Sequence, residues 1–210
     1  MRRLPKRKHE RIERVPTLRF TPNAWAKLLY WRDRGGTEVG GFGISAEDAP
    51  LLVEDVCLVG QRCTAVSVQF KDTAVADFFD EQVDRGVAPE RFARLWLHTH
   101  PGNSPLPSAT DEDSFERVFG RCDWAVMFIL AQNDETYTRM SHNRGPRVAV
   151  KINTEVDFSR PFVGSNHSAW DHEYLQYVTV LDGFAANLLS FQDFEFDSAI
   201  EEPFDGIESF

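Results

Sequence analysis

Three kinds of feature are scarce in this chain, and each scarcity excludes something. Its 210 residues hold only three cysteines, Cys57, Cys63 and Cys122. An odd count with no C-x-x-C pair offers neither a disulfide framework nor a cysteine-based zinc site, and it fits a reducing compartment. Long apolar runs are missing too. The longest, WAVMFILA from Trp124 to Ala131, is less than half of the ~20 residues a membrane-spanning helix needs. It reads instead as a strand buried on both faces. The N-terminus lacks the apolar core of a secretory signal, so a soluble cytoplasmic protein without a membrane partner is expected. Positive charge is absent from the last part of the chain: no Lys or Arg occurs from Pro161 to Phe210. Residues 1–16 are strongly basic, yet the formal net charge is −10. That balance argues against nucleic acid as a partner, and the short basic arm reads as a solvated segment.

The chain also contains a globular core. Hydrophobic residues make up 42% of it, enough for one domain with extensions. Leu18 to Phe20 reads as a short strand. TPNAWAKLLYWRDRGG follows with helix punctuation: Thr21 to cap, Pro22 at the first helical position, and Gly35-Gly36 as the stop. TEVGGFGI reads as a strand whose glycines, Gly40, Gly41 and Gly43, signal close backbone packing. LLVEDVCLV and AVSVQF read as an antiparallel pair or meander. DTAVADFFDEQVDRG reads as a helix with Val75, Phe78, Phe79 and Val83 on one face, ended by Gly86. TYTRMS and RVAVKI read as further strands, and DHEYLQYVTVLDGFAANLLSF as a closing helix. Helices alternating with strands indicate an α/β or α+β layered domain. The expected organisation is a basic arm over 1–16, a domain over 17–157, and an acidic, phenylalanine-rich, partly helical extension over 158–210.

Chemistry concentrates in RLWLHTHPGNSPLPSATDEDSFERVF, from Arg94 to Phe119. Apolar residues on both sides indicate a strand, a loop and a helix. In an extended chain residues two apart point the same way, so His98 and His100 project side by side, with Trp96 on the same face. Two converging imidazoles suit zinc, and Asp111 at the helix start is the obvious third ligand. A fourth position left to water makes such a site catalytic rather than structural. Ser108-x-x-Asp111 also matches a helix capping box, but Thr110 followed by Asp113 offers another cap, so Asp111 is not required for capping. His9, His142, His167 and His172 read as residues outside the site.

The stretch HTHPGNSPLPSATD resembles the JAMM (MPN+, or JAB) metalloprotease motif: His-x-His-Pro, six intervening residues, then Ser-x-x-Asp. Glu38 in TEVGGFG stands where that family carries an upstream glutamate. The resemblance covers roughly residues 18–153. It implies a JAB/MPN domain: a curved mixed β-sheet with flanking helices, in a deaminase-like α/β arrangement. The zinc deaminase signature itself, H-x-E with P-C-x-x-C, is absent. It also implies Zn²⁺ held by His98, His100 and Asp111, Glu38 as general base, and Ser108 as oxyanion stabiliser. The implied reaction is hydrolysis of an isopeptide or peptide bond after the C-terminal tail of a ubiquitin-like, β-grasp protein. The implied partners are such a modifier, its conjugate or precursor, and E1- or E2-like enzymes of the same pathway. The loops around GISAEDAP and from Ser141 to Ser168 are candidate specificity determinants. Two other readings are a RadC-like, DNA-associated JAB protein and a non-catalytic MPN-type binding scaffold. The first lacks its helix-hairpin module here, and the second ordinarily lacks one or more of the ligands present in this chain.

Overall fold

A computed structural model of the chain describes residues 15–181. Strand β1 (Thr17–Phe20) leads into helix α1 (Pro22–Arg32), then β2 (Val39–Ala46), β3 (Ala49–Leu58), β4 (Gln61–Thr64) and β5 (Ser67–Phe70). Helices α2 (Asp72–Asp84) and α3 (Pro89–Phe92) precede β6 (Leu95–His100) and helix α4 (Ala109–Phe119). Four strands follow: β7 (Trp124–Ala131), β8 (Thr136–His142), β9 (Val148–Lys151) and β10 (Asn153–Val156). Helix α5 (His167–Tyr177) and strand β11 (Val178–Val180) complete the described chain. None of the described helices is long and apolar enough to cross a membrane.

The main sheet has the order β10-β1-β3-β2-β6-β7-β8-β9, with parallel and antiparallel pairs mixed. Its two end strands, β9 and β10, are separated in the chain by Ile152 alone, so the sheet must curl until its edges nearly meet. The rings confirm the direction of the curl. Phe20 of β1 and Phe128 of β7 lie four strand steps apart, about 19 Å across a flat sheet, yet their centroids are 4.9 Å apart. The face bearing them is therefore the concave one. There α1 and α5 pack Leu28, Trp31, Trp170 and Tyr174 against Leu18, Val53, Leu95, Leu97 and Val126. The opposite face buries Phe42, Trp96, Met127 and Ile129 under Phe78 of α2, Phe92 of α3, and Phe115 and Phe119 of α4. This is the expected α+β architecture with a curved mixed sheet and flanking helices.

Local readings hold where the signal is local. Thr21 Oγ1 accepts the Ala24 N–H and Pro22 opens α1. Gly86 closes α2 in the left-handed region, with φ of 76°. A Cβ at Gly41 would lie 2.7 Å from the Cys57 carbonyl oxygen, which is the close backbone approach its strand position signals.

Other readings need correction. LLVEDVCLV and AVSVQF do not pair: β3 pairs with β2, while β5 forms a hairpin with β4 in a second sheet, β11-β4-β5. On α2 it is Gln82 that is buried, and Val83 is exposed. The closing helix starts earlier, at His167, where Asn166 Oδ1 accepts the Ala169 N–H, and it ends at Tyr177. Val178–Val180 instead pairs in parallel with β4, as its β-branched residues favour; the remainder of that reading, from 182 on, falls outside the described residues. The GISAEDAP reading as a specificity loop stands apart from these corrections; its turn lies at the far end of β2 from Glu38, roughly 30 Å away along the strand.

Candidate metal centre

All six residues of β6 are buried, and alternation sorts them. Leu95 and Leu97 enter the concave core, while Trp96 enters the core under α4. Thr99 faces away from the histidines, and its Oγ1 accepts the Val39 N–H at 3.2 Å. His98 and His100 continue the face of Trp96. The His98 ring stacks on Trp96 with centroids 4.4 Å apart. His100 Nδ1–H donates to the Ser104 carbonyl at 2.8 Å, since a carbonyl can only accept. That bond fixes the tautomer and leaves the Nε2 lone pair directed at His98 Nε2, 3.2 Å away.

Asp111 arrives on the first turn of α4. Here the capping reading needs correction, because Ser108 is the N-cap and Asp111 completes the capping box. Thr110 already sits inside the helix, one residue past the first helical position. Asp111 N–H donates to Ser108 Oγ at 3.2 Å. Asp111 Oδ2 accepts from the Ser108 N–H at 2.7 Å and from the Ser108 hydroxyl at 2.8 Å. Capping leaves Oδ1 free to face His98 Nε2, at 3.4 Å, while the capping oxygen Oδ2 lies 3.7 Å from His100 Nε2. The Ser108 hydroxyl hydrogen is thereby committed to Asp111.

Glu38 immediately precedes β2. The pairing of Val39 with Thr99 brings it level with His100, and its Oε1 lies 3.6 Å from His100 Nε2. Two contacts from β4 hold this strand start. The Glu38 N–H donates to the Thr64 carbonyl at 2.8 Å. One residue beyond the end of the β2–β3 ladder at Gly41–Leu58, the Gln61 carboxamide continues the pairing. Its Oε1 accepts the Gly40 N–H at 2.9 Å and its Nε2 donates to the Gly40 carbonyl at 2.7 Å.

The four ligand atoms of Glu38, His98, His100 and Asp111 lie within 4.8 Å of one another, and Glu38, His98 and Asp111 are at most 4% exposed. Burial pushes the Glu38 carboxyl up to about 7, with the Asp111 charge adding to the rise and His100 opposing it. Burial lowers His98 below its ordinary 6.5, against the pull of Asp111. Burial is the largest single influence on His100 and Asp111 as well, but the sum of their polar contacts outweighs it. His100 meets Asp111, the Ser104 carbonyl and Glu38, and is raised. Asp111 meets His100, His98 and the Ser108 N–H, and is held well below the carboxylate range. With both imidazoles neutral and both carboxylates ionised the cluster would carry −2, which a divalent cation would neutralise; without one, the raised Glu38 and His100 hold protons in its place. The spacing also fits. Zinc bonds of about 2.0–2.1 Å at tetrahedral angles place ligand atoms about 3.3 Å apart, against 3.2 Å between the imidazoles, 3.4 Å from His98 to Asp111 and 3.7 Å from His100 to Asp111. Glu38 Oε2 is buried with no hydrogen-bond partner among the described residues. His98 Nδ1 has no partner either; the face of Trp96 orients that ring.

The structure thus brings together Glu38, His98, His100 and Asp111, with Ser108 bound to Asp111. Gln61, Thr64 and Ser104 hold the site in place but carry no signal in the sequence: Thr64 and Ser104 act through their backbone carbonyls, and the Gln61 side chain meets the Gly40 backbone only in the folded chain. Neither a family model nor a curated protein matches the chain in sequence.

Proposed function

We propose that this chain is a zinc-dependent hydrolase that cleaves a peptide or isopeptide bond after the C-terminal tail of a ubiquitin-like protein. The observation that carries the hydrolase reading is the convergence of Glu38, His98, His100 and Asp111 on one buried point. The substrate class rests on the resemblance of His98-x-His100-Pro101 and Ser108-x-x-Asp111 to the JAMM motif. His98, His100 and Asp111 would hold the ion, which when bound supplies Lewis-acid activation of water and of the scissile carbonyl.

The chain's own residues do the rest. Glu38 takes a proton from the attacking water at one carboxylate oxygen and returns it to the leaving amine. A base that titrates near neutrality suits both halves of that transfer, and Glu38 in the metal-free protein sits at about 7. Ser104 and Trp96 keep the two imidazoles from turning. Ser108 holds Asp111 in the resting site. To stabilise a developing oxyanion, its hydroxyl hydrogen must rotate from Asp111 to the substrate, and a donor of that kind contributes about 2.7–4 kcal/mol. An extended tail reaches the site by lying along a strand edge.

The test is direct. The purified protein should contain one zinc per chain, and His98→Ala or Asp111→Ala should abolish it. Glu38→Gln should keep the zinc yet lose cleavage of β-grasp fusion proteins by a factor of 10² or more, at the low end of the ~10²–10⁴ general-base range. Loss of zinc in Glu38→Gln would make Glu38 a fourth ligand and the site structural.

A further inference from the structure

The two histidines and Asp111 reach the site by different routes. The histidines are fixed by the strand that carries them. Asp111 follows the loop from Pro101 to Pro107, which is tied back by its Gly102 and Ser104 carbonyls to the Gln132 N–H and His100, so its place depends on those ties and on what anchors the first turn of α4. The capping box is internal to the helix, and Phe115 and Phe119 pack its middle and end. Apart from Asp111 itself, one ion pair among the described residues ties that first turn to the sheet. Arg139 of β8 grips Glu112 with both arms, Nη1 to Oε1 and Nη2 to Oε2, each at 2.6 Å.

The grip is placed to matter. Arg139 pairs with Met127, and Met127 with Trp96, so the guanidinium belongs to the same cross-sheet row as the ring beneath His98. It also lies 5.5 Å from the centre of the Phe115 ring, which itself stacks on Trp96 with centroids 6.1 Å apart. The side chains of Arg139 and Glu112 are 17% and 43% exposed, against 61% for both members of the pair one turn further along α4, Arg147 with Glu116. A forked, half-buried pair fixes direction as well as distance.

We propose that Arg139 is a positioning residue for the metal centre: by holding Glu112 it sets the first turn of α4, and with it Asp111, at ligand distance from His98. This rests on the metal reading above. Partners behind a metal ligand are commonly worth 10–100-fold in metal affinity, and the same range is expected here.

The experiment measures zinc affinity of the full chain by competition with a chromophoric chelator, and the visible spectrum of the cobalt(II)-substituted protein. The wild type is measured first; failure to bind either ion would sink the metal reading itself, whatever Arg139 does. With wild-type binding in hand, Arg139→Met should weaken zinc about 10–100-fold and reduce the intensity of the tetrahedral cobalt bands. Arg147→Met, which breaks the outer pair on the same helix, should leave both within twofold. If Arg139→Met does not fold, Arg139→Lys and Glu112→Gln replace it. The lysine keeps the charge without the fork and should recover part of the affinity, while Glu112→Gln should behave like the loss of the arginine. Wild-type affinity and spectrum in these variants, or an equal loss in Arg147→Met, would overturn the proposal.

Discussion

Two of the clusters that bury charge among the described residues treat it in opposite ways. Beside the concave core, Lys27 of α1 has its ammonium 3.0 Å from both Asp55 of β3 and Glu173 of α5. It lies 4.8 Å from the centre of the Trp31 ring, and Glu173 also accepts the Leu58 N–H at 2.9 Å. Every group in that cluster has a partner of the right sign. At the end of β6, two carboxylates and two imidazoles crowd together with no permanent cation among the described residues near them, and Glu38 Oε2 and His98 Nδ1 go unpartnered. Burial of ionisable groups is common to both clusters. What separates the two is what each carboxylate faces: Glu173 and the half-exposed Asp55 share the Lys27 ammonium, whereas Glu38 and Asp111 face only imidazoles. The Lys27 cluster joins α1, β3 and α5 and closes on itself, whereas the His98 cluster is complete only with something added.

The largest expected effect breaks the second cluster alone. Stripping zinc with a chelator should destabilise the protein by about 4 kcal/mol when the metal was present at about a thousand times its dissociation constant. That corresponds to a fall in melting temperature on the order of 10 °C by calorimetry. Its pH dependence has a definite sign. Zinc requires neutral imidazoles, and His100 in the metal-free site is held above its ordinary 6.5. Zinc affinity should therefore drop as pH falls from 8 to 6. Lys27 itself should not respond over that range: it is raised above 10.5, so its contribution is fully present below that value and is lost only as pH rises past its raised pKa.

Lys27→Met comes next. Removing one partner from a fully buried pair costs about 3–5 kcal/mol, but Asp55 is 48% exposed, which reduces the expectation to about 2 kcal/mol. Urea unfolding measures the loss, and zinc content should stay at one per chain. A matching loss of zinc would mean that the two clusters are coupled through the sheet. Ser108→Ala is the smallest of the three. Loss of the helix cap should cost about 1 kcal/mol, and because the same hydroxyl holds Asp111 Oδ2, zinc affinity should fall with it. A stability loss with unchanged zinc affinity would confine Ser108 to capping in the resting protein.

Particular residues show where the sequence was legible. Alternation alone puts Trp96, His98 and His100 on one face, and the structure stacks the first two. Thr21 and Pro22 punctuate α1 as their chemistry dictates. The errors fall where tertiary pairing outvotes local pattern. SVQF is as strand-like as any segment here, but nothing in it says that QRCT, not LLVEDVCLV, will be its partner. Val83 has the right helical spacing to be buried, yet Gln82 takes that place, because α2 packs with a slightly different roll from the one its apolar residues describe. The capping box was visible, but whether Asp111 could both cap and face the histidines depended on where its second oxygen points.

The amino-acid order by itself settled the donor types, their spacing and the strand face that carries two of them, because side-chain direction in an extended chain repeats every two residues. Tertiary structure alone decided that Glu38, sixty residues upstream of His98, stands level with His100, and that Asp111 turns one oxygen inward. Those placements follow from the β2–β6 register, the amide of Gln61 and the anchoring of α4 on a curled sheet. Contacts between parts so distant in the chain depend on packing and loop closure, which no local pattern encodes.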